Sequence, residues 1–337
     1  MATVVDALQL EQLLDRRQKL QAAATAFDWN PELSRLLDEV DAALARMEAG
    51  TYGLCETCYE TIEPERLLAD PLVRFCLAHL TAVQQHALEE DLQLAVQIQR
   101  GLLPAQDQDF GAWQVSYIYE PAGLVSGDYC DLIKTEDALY FILGDVSGKG
   151  VAASLLMANL QAMFRALVPT GLSLDKLTER ASRLFCESTL STHFATLVCG
   201  RASANGEVEL CNAGHLPPIL LQHGAAVRLD SGGLPVGIFC DEKFSVERVQ
   251  LVPGDALLLY TDGITETQDS SGVEYGIERL LKAVNSYLPP SSEEIVQMCL
   301  NDLNDFRGRT AKNDDVTMMA IRLLGMEGGA GKSKCSP

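Results

Sequence analysis

Three aspartates share one local setting, each at the edge of an apolar run and beside small or turn-forming residues. Asp145 follows Leu139-Tyr-Phe-Ile-Leu-Gly144, Asp262 follows Ala256-Leu-Leu-Leu-Tyr-Thr261, and Asp314-Asp315 precede Val316-Thr-Met-Met-Ala-Ile321. A fourth group, Gly127-Asp128-Tyr-Cys-Asp131, adds two carboxylates just before the Asp145 run. One Asp beside a glycine is more often a turn residue than a ligand, because Asp tolerates turn geometry and bonds its own backbone. Four such groups in one chain suggest something else. Carboxylates held rigidly at strand ends suit hard, oxygen-seeking cations such as Mg²⁺ or Mn²⁺, and Gly144, Gly148 and Gly263 leave room for ions and substrate to reach the backbone. A second constellation uses softer donors. Cys55-Glu-Thr-Cys58 and Cys76-Leu-Ala-His79, 17 residues apart, pair three thiolates with one imidazole in the spacing of a tetrahedral Zn²⁺ site.

The elements that must position these groups follow from periodicity. Apolar residues recur at helical spacing over Val5 to Ala24 and Pro31 to Gly50, with Asn30-Pro31 between, which predicts a helical hairpin. A compact Cys-bearing segment follows from Thr51 to His79, and then a helix from Leu80 to Leu103, ended by Pro104. Beyond it, short strands are predicted at Trp113 to Tyr119, Ala138 to Leu143, Ala195 to Gly200, Glu207 to Cys211, Ile219 to Leu221, Ala256 to Tyr260 and Val316 to Arg322. Helices are predicted between them at Ala152 to Val168, Leu174 to Ser188, Ile277 to Tyr287 and Glu293 to Asp305. This mixture indicates an α+β domain with antiparallel neighbours. The expected division is 1–84 for the hairpin with its zinc finger, 85–104 for a linker helix, 105–324 for the catalytic domain and 325–337 for a disordered Gly- and Ser-rich tail.

Composition narrows the functions. With a net charge of −21 over 337 residues and no strongly basic window, direct DNA binding is excluded as an expectation, since a phosphate groove needs a basic surface. No apolar run reaches the ~18 residues of a membrane span. Apart from the Cys55, Cys58, Cys76 group, the cysteines are scattered (Cys130, Cys186, Cys199, Cys211, Cys240, Cys299, and Cys335 in the tail), a usage that predicts free thiols in a reducing, cytoplasmic setting.

Two resemblances sharpen these expectations. The run from Leu36 to Cys58, continued by Ile62, Arg66-Leu67, Ala69-Asp-Pro71 and Cys76, resembles the zinc-finger region of the DksA/TraR family, with His79 in place of its fourth cysteine. Members of that family contact RNA polymerase through a coiled-coil tip. The turn Phe27-Asp-Trp-Asn-Pro31 does not reproduce that tip, so a sensory, docking or dimerising role is the modest inference. Gly127-Asp-Tyr-Cys-Asp131, Gly144-Asp-Val-Ser-Gly-Lys-Gly150, Asn212-Ala-Gly-His-Leu-Pro-Pro218, Gly233-Leu-Pro-Val-Gly237, Tyr260-Thr-Asp-Gly-Ile-Thr-Glu266 and Asn313-Asp-Asp-Val-Thr317, in this order, resemble the RsbU/SpoIIE branch of the PPM (PP2C-type) phosphatases. Ala95-Val-Gln-Ile-Gln99 leading into Leu102-Leu-Pro104 agrees with the same branch.

The second resemblance implies a PP2C-like antiparallel β-sandwich flanked by helices, with two Mn²⁺ or Mg²⁺ ions at one end. It implies Asp145 as the bridging ligand assisted by the Val146 carbonyl, Asp128, Asp262 and Asp314 as further ligands, and Asp131 and Asp315 as secondary ones. The expected activity is hydrolysis of phosphoserine or phosphothreonine on a bacterial regulatory protein, an anti-sigma-factor antagonist of the STAS type. The linker helix would couple the zinc module to assembly of the metal site, with a homodimer through that helix. The family's general-acid histidine is replaced by Val146 and Ser147. His215 reads as a hairpin corner and Cys130 as packing. Arg307, Arg309 and Lys312 are tentative phosphate-binding residues. The alternative from another class is an RNA polymerase-associated interaction protein whose phosphatase domain is secondary or inactive.

Overall fold

The computed structural model describes residues 4–26, 31–80, 82–190, 192–230, 232–285 and 291–324. The expected tail, Cys335 and most of the hairpin turn lie outside these. The chain divides into two compact units, Met1–Asp91 and Leu92–Pro337.

In the first unit, α1 (Val4–Ala26) and α2 (Pro31–Glu48) form the predicted hairpin. Leu13, Val40 and Ala43 are its fully buried core, joined by Leu20, Leu44, Met47 and Tyr52. The Cys-bearing segment follows, with one short helix, α3 (Pro64–Ala69), and a second small core of Cys55, Ile62, Leu67 and Cys76. Four buried side chains are too few to hold such a segment unaided, which is the usual circumstance of a metal-stapled module. Helix α4 (Ala82–Leu102) spans the boundary between the units.

The second unit is a four-layer sandwich. One sheet has the order β1 (Asp107–Phe110), β2 (Trp113–Glu120), β11 (Val316–Leu323), β10 (Ala256–Tyr260), β7 (Ile219–Gln222), β8 (Ala225–Arg228). The other has the order β3 (Asp128–Lys134), β4 (Ala138–Val146), β5 (Ala195–Ser203), β6 (Glu207–Ala213), β9 (Glu247–Gln250). All pairings between neighbouring strands are antiparallel. Between the sheets, Val115, Phe141, Leu143, Val198, Leu257, Met319 and their neighbours fill one core. The outer face of the five-stranded sheet packs on α5 (Gly150–Leu167) and α6 (Leu174–Ser188) through Ile142, Leu160, Phe164 and Phe185. That of the six-stranded sheet packs on α8 (Gly276–Asn285) and α9 (Ser292–Arg307) through Ile219, Leu258, Leu280, Ile295 and Cys299. Central strands buried on both faces are continuously apolar, as in the ALLLY of β10, and they were the most readable in sequence.

Three expectations need correction. β3 was not among the predicted strands, because its aspartates interrupt the apolar alternation, yet it pairs with β4 from Asp128↔Asp145 to Lys134↔Leu139. Helix α5 with its 3-10 extension, Gly150–Thr170, is long and apolar enough to match a membrane span by composition. Its apolarity serves the sheet: Ala153, Met157, Leu160 and Phe164 are buried against it, and Arg165 is paired with Asp131. Finally, Cys186 and Cys240 are not free thiols; they form a disulfide across 54 residues of sequence, a pairing invisible in spacing alone.

Candidate active site

The carboxylates meet at one end of the sandwich, brought there by both sheets. β4 ends at Asp145-Val146, and its hydrogen-bond ladder places Asp128 of β3 on one side of Asp145 and Thr196 of β5 on the other. From the other sheet, β10 runs into the short helix α7 (Asp262–Thr265), and Asp314-Asp315 lead into β11. Thr261 and Thr317 join the sheets, since both hydroxyls donate to Asp128 Oδ2, that of Thr261 at 3.1 Å. Two glycines are required by close approach. A Cβ on Gly144 would stand 2.4 Å from the Thr196 carbonyl oxygen, and one on Gly263 would stand 1.8 Å from that of Asp315.

Concentrating acids here has a measurable consequence. Burial, then the charges of Asp262, Asp314 and Asp315, push the Asp145 carboxyl up to about 7. Burial and Asp314 raise Asp262, and burial with Asp145 lifts Asp128 well above the usual carboxylate range. Like charges crowded into a low-dielectric site disfavour ionisation until a cation neutralises them. The donor set, all oxygen, fits Mg²⁺ or Mn²⁺ and not a soft metal. Asp145, Asp262 and Asp314 are half-buried, and the Val146 carbonyl lies beside the same loop.

The predicted residues are not equivalent. Asp128 is fully buried beneath the cluster, with one oxygen engaged by the two threonines. Asp315 organises the loop ahead of β3: its oxygens accept from Ala122 N (2.7 Å), Ser126 Oγ (2.7 Å) and Gly127 N (3.0 Å). Asp131 does not reach the cluster. Three residues along a strand reverse the face, and its carboxylate is held by Arg165 of α5 (2.6 and 2.9 Å) on the opposite side of the sheet. Lys312 lines a cavity of about 220 Å³ beside Asp314 and is paired with Glu120. Arg307 instead donates to Asn304 of its own helix at 2.6 Å, and Arg309, beyond the left-handed Gly308 that ends α9, is not among the cavity residues.

Two contributors escaped sequence reasoning. Lys149 lines the same cavity and donates to Asp314 Oδ2 (2.8 Å) and the Asn313 carbonyl (3.0 Å). Its signal was the Gly148-Lys-Gly150 tripeptide, which marks an exposed backbone turn without naming a partner. Gln99 of α4 is fully buried; it donates to the Ser126 carbonyl (2.8 Å) and accepts from Ser126 N (3.0 Å). Ser126 Oγ in turn donates to Asp315 and accepts from Asp128 N (3.0 Å), so one amide side chain is two bonds from the cluster. His215 is a structural peg. Burial holds its imidazole down to about 4, so it is neutral: Nε2–H donates to the Tyr260 carbonyl (3.1 Å) and Nδ1 accepts from Thr196 Oγ1 (2.8 Å). Cys130 is wholly buried between the sheets.

In the first unit, one donor atom from each of Cys55, Cys58, Cys76 and His79 lies within 4.8 Å of the others. Cys58 and Cys76 Sγ are 3.8 Å apart, and Cys76 Sγ is 3.3 Å from His79 Nδ1. The knuckle is tied by Cys55 N to the Glu60 carbonyl (2.8 Å) and Tyr59 N to the Cys55 carbonyl (2.9 Å), with Tyr59 at a positive φ. Burial pushes the Cys55 thiol up, but bonds from the Cys58, Cys76 and Thr57 backbone outweigh it and lower it to about 6, towards the thiolate a metal needs. Three sulfurs and an imidazole at this spacing fit Zn²⁺.

Comparison with known families decides the assignment. Residues 135–324 match the model described as Stage II sporulation protein E (SpoIIE). The chain belongs to the SpoIIE family. Residues 50–78 of this SpoIIE-family chain match the Prokaryotic dksA/traR C4-type zinc finger, whose match stops one residue short of His79. The protein is similar to Protein IcfG of Synechocystis (28% identical over 261 residues, 68% of this chain and 41% of the relative). It is also similar to Phosphoserine phosphatase RsbU of Bacillus subtilis (25% identical, 72% of each chain). Among solved structures, the SiaA-PP2C domain of Pseudomonas aeruginosa shares the fold, with a TM-score of 0.63 at 19% identity over 73% of this chain and all of that domain.

Proposed function

We propose that the whole chain is a metal-dependent protein phosphatase that hydrolyses phosphoserine or phosphothreonine on a bacterial regulatory protein, an anti-sigma-factor antagonist of the STAS type, in the cytoplasm. The observation that carries this reading is the convergence of Asp145, Asp262 and Asp314 from two sheets, where burial and mutual repulsion outweigh the one nearby cation named for them, Lys149. Two Mn²⁺ or Mg²⁺ ions, held by Asp145 with the Val146 carbonyl, Asp262, Asp314 and Asp128, would supply an activated water and neutralise charge at phosphorus. The chain's own residues do the rest. Lys149 and Lys312 present ammonium groups to the cavity where a phosphoryl group would enter, Lys149 within reach of Asp314. Thr261, Thr317 and His215 hold the carboxylate-bearing ends rigidly, and Gln99 with Ser126 fixes the Asp315 loop.

The zinc module, with one Zn²⁺ on Cys55, Cys58, Cys76 and His79, is proposed to regulate this site through α4. Support comes from Gln99, whose amide ties the end of α4 to the Ser126–Asp315 network. Leu94 and Ile98, one turn apart on α4, are 54% and 57% exposed, which favours a homodimer through this helix.

The test is phosphate release from a phosphoserine protein by the full chain, with and without Mn²⁺, alongside Asp145→Ala and Asp262→Ala. Mn²⁺-dependent turnover lost in both variants supports the reading; no turnover from the chain under any metal removes it. The zinc-finger match favours a second reading, contact with RNA polymerase. Co-purification with polymerase that disappears in Cys55→Ser, Cys58→Ser is its expected sign.

A further inference from the structure

Cys186 sits one turn from the end of α6, and Cys240 in the loop that follows Gly233-Leu-Pro-Val-Gly237; their Cα atoms are 5.4 Å apart, a separation suited to a disulfide. Cys240 is exposed and Cys186 half-buried. The other described cysteines of this unit are different. Cys130, Cys199, Cys211 and Cys299 are essentially inaccessible, and burial pushes Cys211 up to about 11, Cys299 up to about 12, and Cys130 and Cys199 well above their ordinary value. Such thiols offer neither surface nor thiolate to an oxidant.

Contacts other than the disulfide also tie the loop to α6. Gly237 N donates to Ser182 Oγ (3.3 Å), and Gly237 lies so close to Phe185 that an added Cβ would stand 2.7 Å from the ring. Arg183 pairs with Asp241 (2.6 Å), and Lys243 with Glu179 (3.1 Å). Residues 179, 182, 183 and 186 fall on one face of α6 at helical spacing. These contacts hold the loop on α6 alongside the disulfide, so that once one thiol has reacted the other meets it as an intramolecular neighbour. Val236, in the same loop, exchanges both backbone bonds with Ala195 (2.9 and 3.0 Å), which lies opposite Val146 in the β4–β5 ladder.

We propose that Cys186 and Cys240 form a reversible thiol–disulfide exchange site, taking a low-molecular-weight disulfide such as glutathione disulfide as oxidant, whose closed form clamps the 233–243 loop onto α6. The exposed Cys240 thiolate attacks one sulfur of the oxidant, forming a mixed disulfide and releasing one thiolate. The Cys186 thiolate then attacks the Cys240 sulfur and expels the second. Two electrons pass from the protein to the oxidant, and the two protons lost by the protein thiols end on the two released small thiols. The site is independent of the phosphatase assignment.

The experiment equilibrates the zinc-loaded full chain in buffers of rising oxidised-to-reduced glutathione ratio, traps free thiols by alkylation and maps peptides by mass, with zinc release followed in parallel. The expected result is a Cys186–Cys240 linked peptide that appears in one transition, before zinc is lost, and disappears with excess dithiol. The oxidised chain should melt several degrees higher and resist proteolysis between residues 233 and 243, while Cys186→Ser and Cys240→Ser behave as the reduced wild type at every ratio. No linked peptide, linkage shared with Cys130, Cys199, Cys211 or Cys299, appearance only with zinc loss, or identical melting and proteolysis of the two forms would each overturn the proposal.

Discussion

The two clusters of candidate metal ligands in this protein are assembled in opposite ways. Cys55, Cys58, Cys76 and His79 fall within 25 consecutive residues, and short backbone turns aim them at one point. Asp128, Asp145, Asp262 and Asp314 are spread over more than half the chain and meet only because two sheets stack with matching ends. In the first region a bound metal would secure the local fold, because among the described residues beneath the candidate ligands only Ile62 and Leu67 are buried, with Tyr52, Val73 and Phe75 partly so. In the second the fold creates the ligands' proximity and works against their mutual repulsion. A metal should therefore hold the first region together, whereas in the second it relieves a strain that a large core already tolerates.

Stripping zinc separates the two most sharply. Apparent binding energies of structural zinc are on the order of 10 kcal/mol, so chelation should abolish amide-exchange protection over residues 51–79 and leave that of the sandwich strands unchanged; simultaneous loss in both would contradict the contrast. The next largest effect is Asp145→Asn. Turnover should fall on the order of a thousandfold or more, yet the ion-free variant should be more stable than the ion-free wild type. In the unfolded chain this carboxyl ionises near its usual value of 3.8, and in the folded one only near 7. Its contribution to stability is thus fully present at low pH and lost as pH rises through about 7. Melting at pH 8 should show a gain of about 1–3 kcal/mol for Asn, and a loss there would mean that the charges are compensated.

His215 tests the rigidity of the site's frame. Its folded value near 4 against 6.5 when unfolded means that protons bind the unfolded chain preferentially as pH falls below 6.5, with the loss complete near 4. Relative to a His215→Gln variant, the wild type should lose on the order of 3 kcal/mol across that window; parallel acid-denaturation curves would remove the assignment of a neutral, doubly bonded imidazole. The smallest effect is expected for Gln99→Ala, which leaves the Ser126 amide and carbonyl unpaired at about 1–2 kcal/mol. Mn²⁺ affinity, read by calorimetry, should weaken about tenfold with circular dichroism unchanged, whereas an unaltered affinity would detach α4 from the site.

How much of this was legible follows from the same division. The candidate zinc ligands, the predicted strands such as β4, β10 and β11, and the four aspartate groups were readable because each is announced within a few residues by apolar runs, turn formers or Cys spacing. Asp131, carried over with its motif as a secondary ligand, falls outside the cluster because the strand's two-residue alternation sends its side chain to the face opposite Asp128, where Arg165 holds it. β3 was missed because its two carboxylates interrupt the apolar alternation that marks a strand. Lys149, Gln99 and the Cys186–Cys240 pair carry no local signature of their partners, which lie 165, 27 and 54 residues away.

By itself the sequence determined the types of donor, the family motifs and most of the elements, because backbone periodicity, turn chemistry and ligand softness are local properties. Which carboxylates converge at the end of the sandwich, which are engaged in holding a loop or an arginine, and which cysteines can meet were decided only in three dimensions. Register and sheet stacking set those distances, and no local run of residues encodes them.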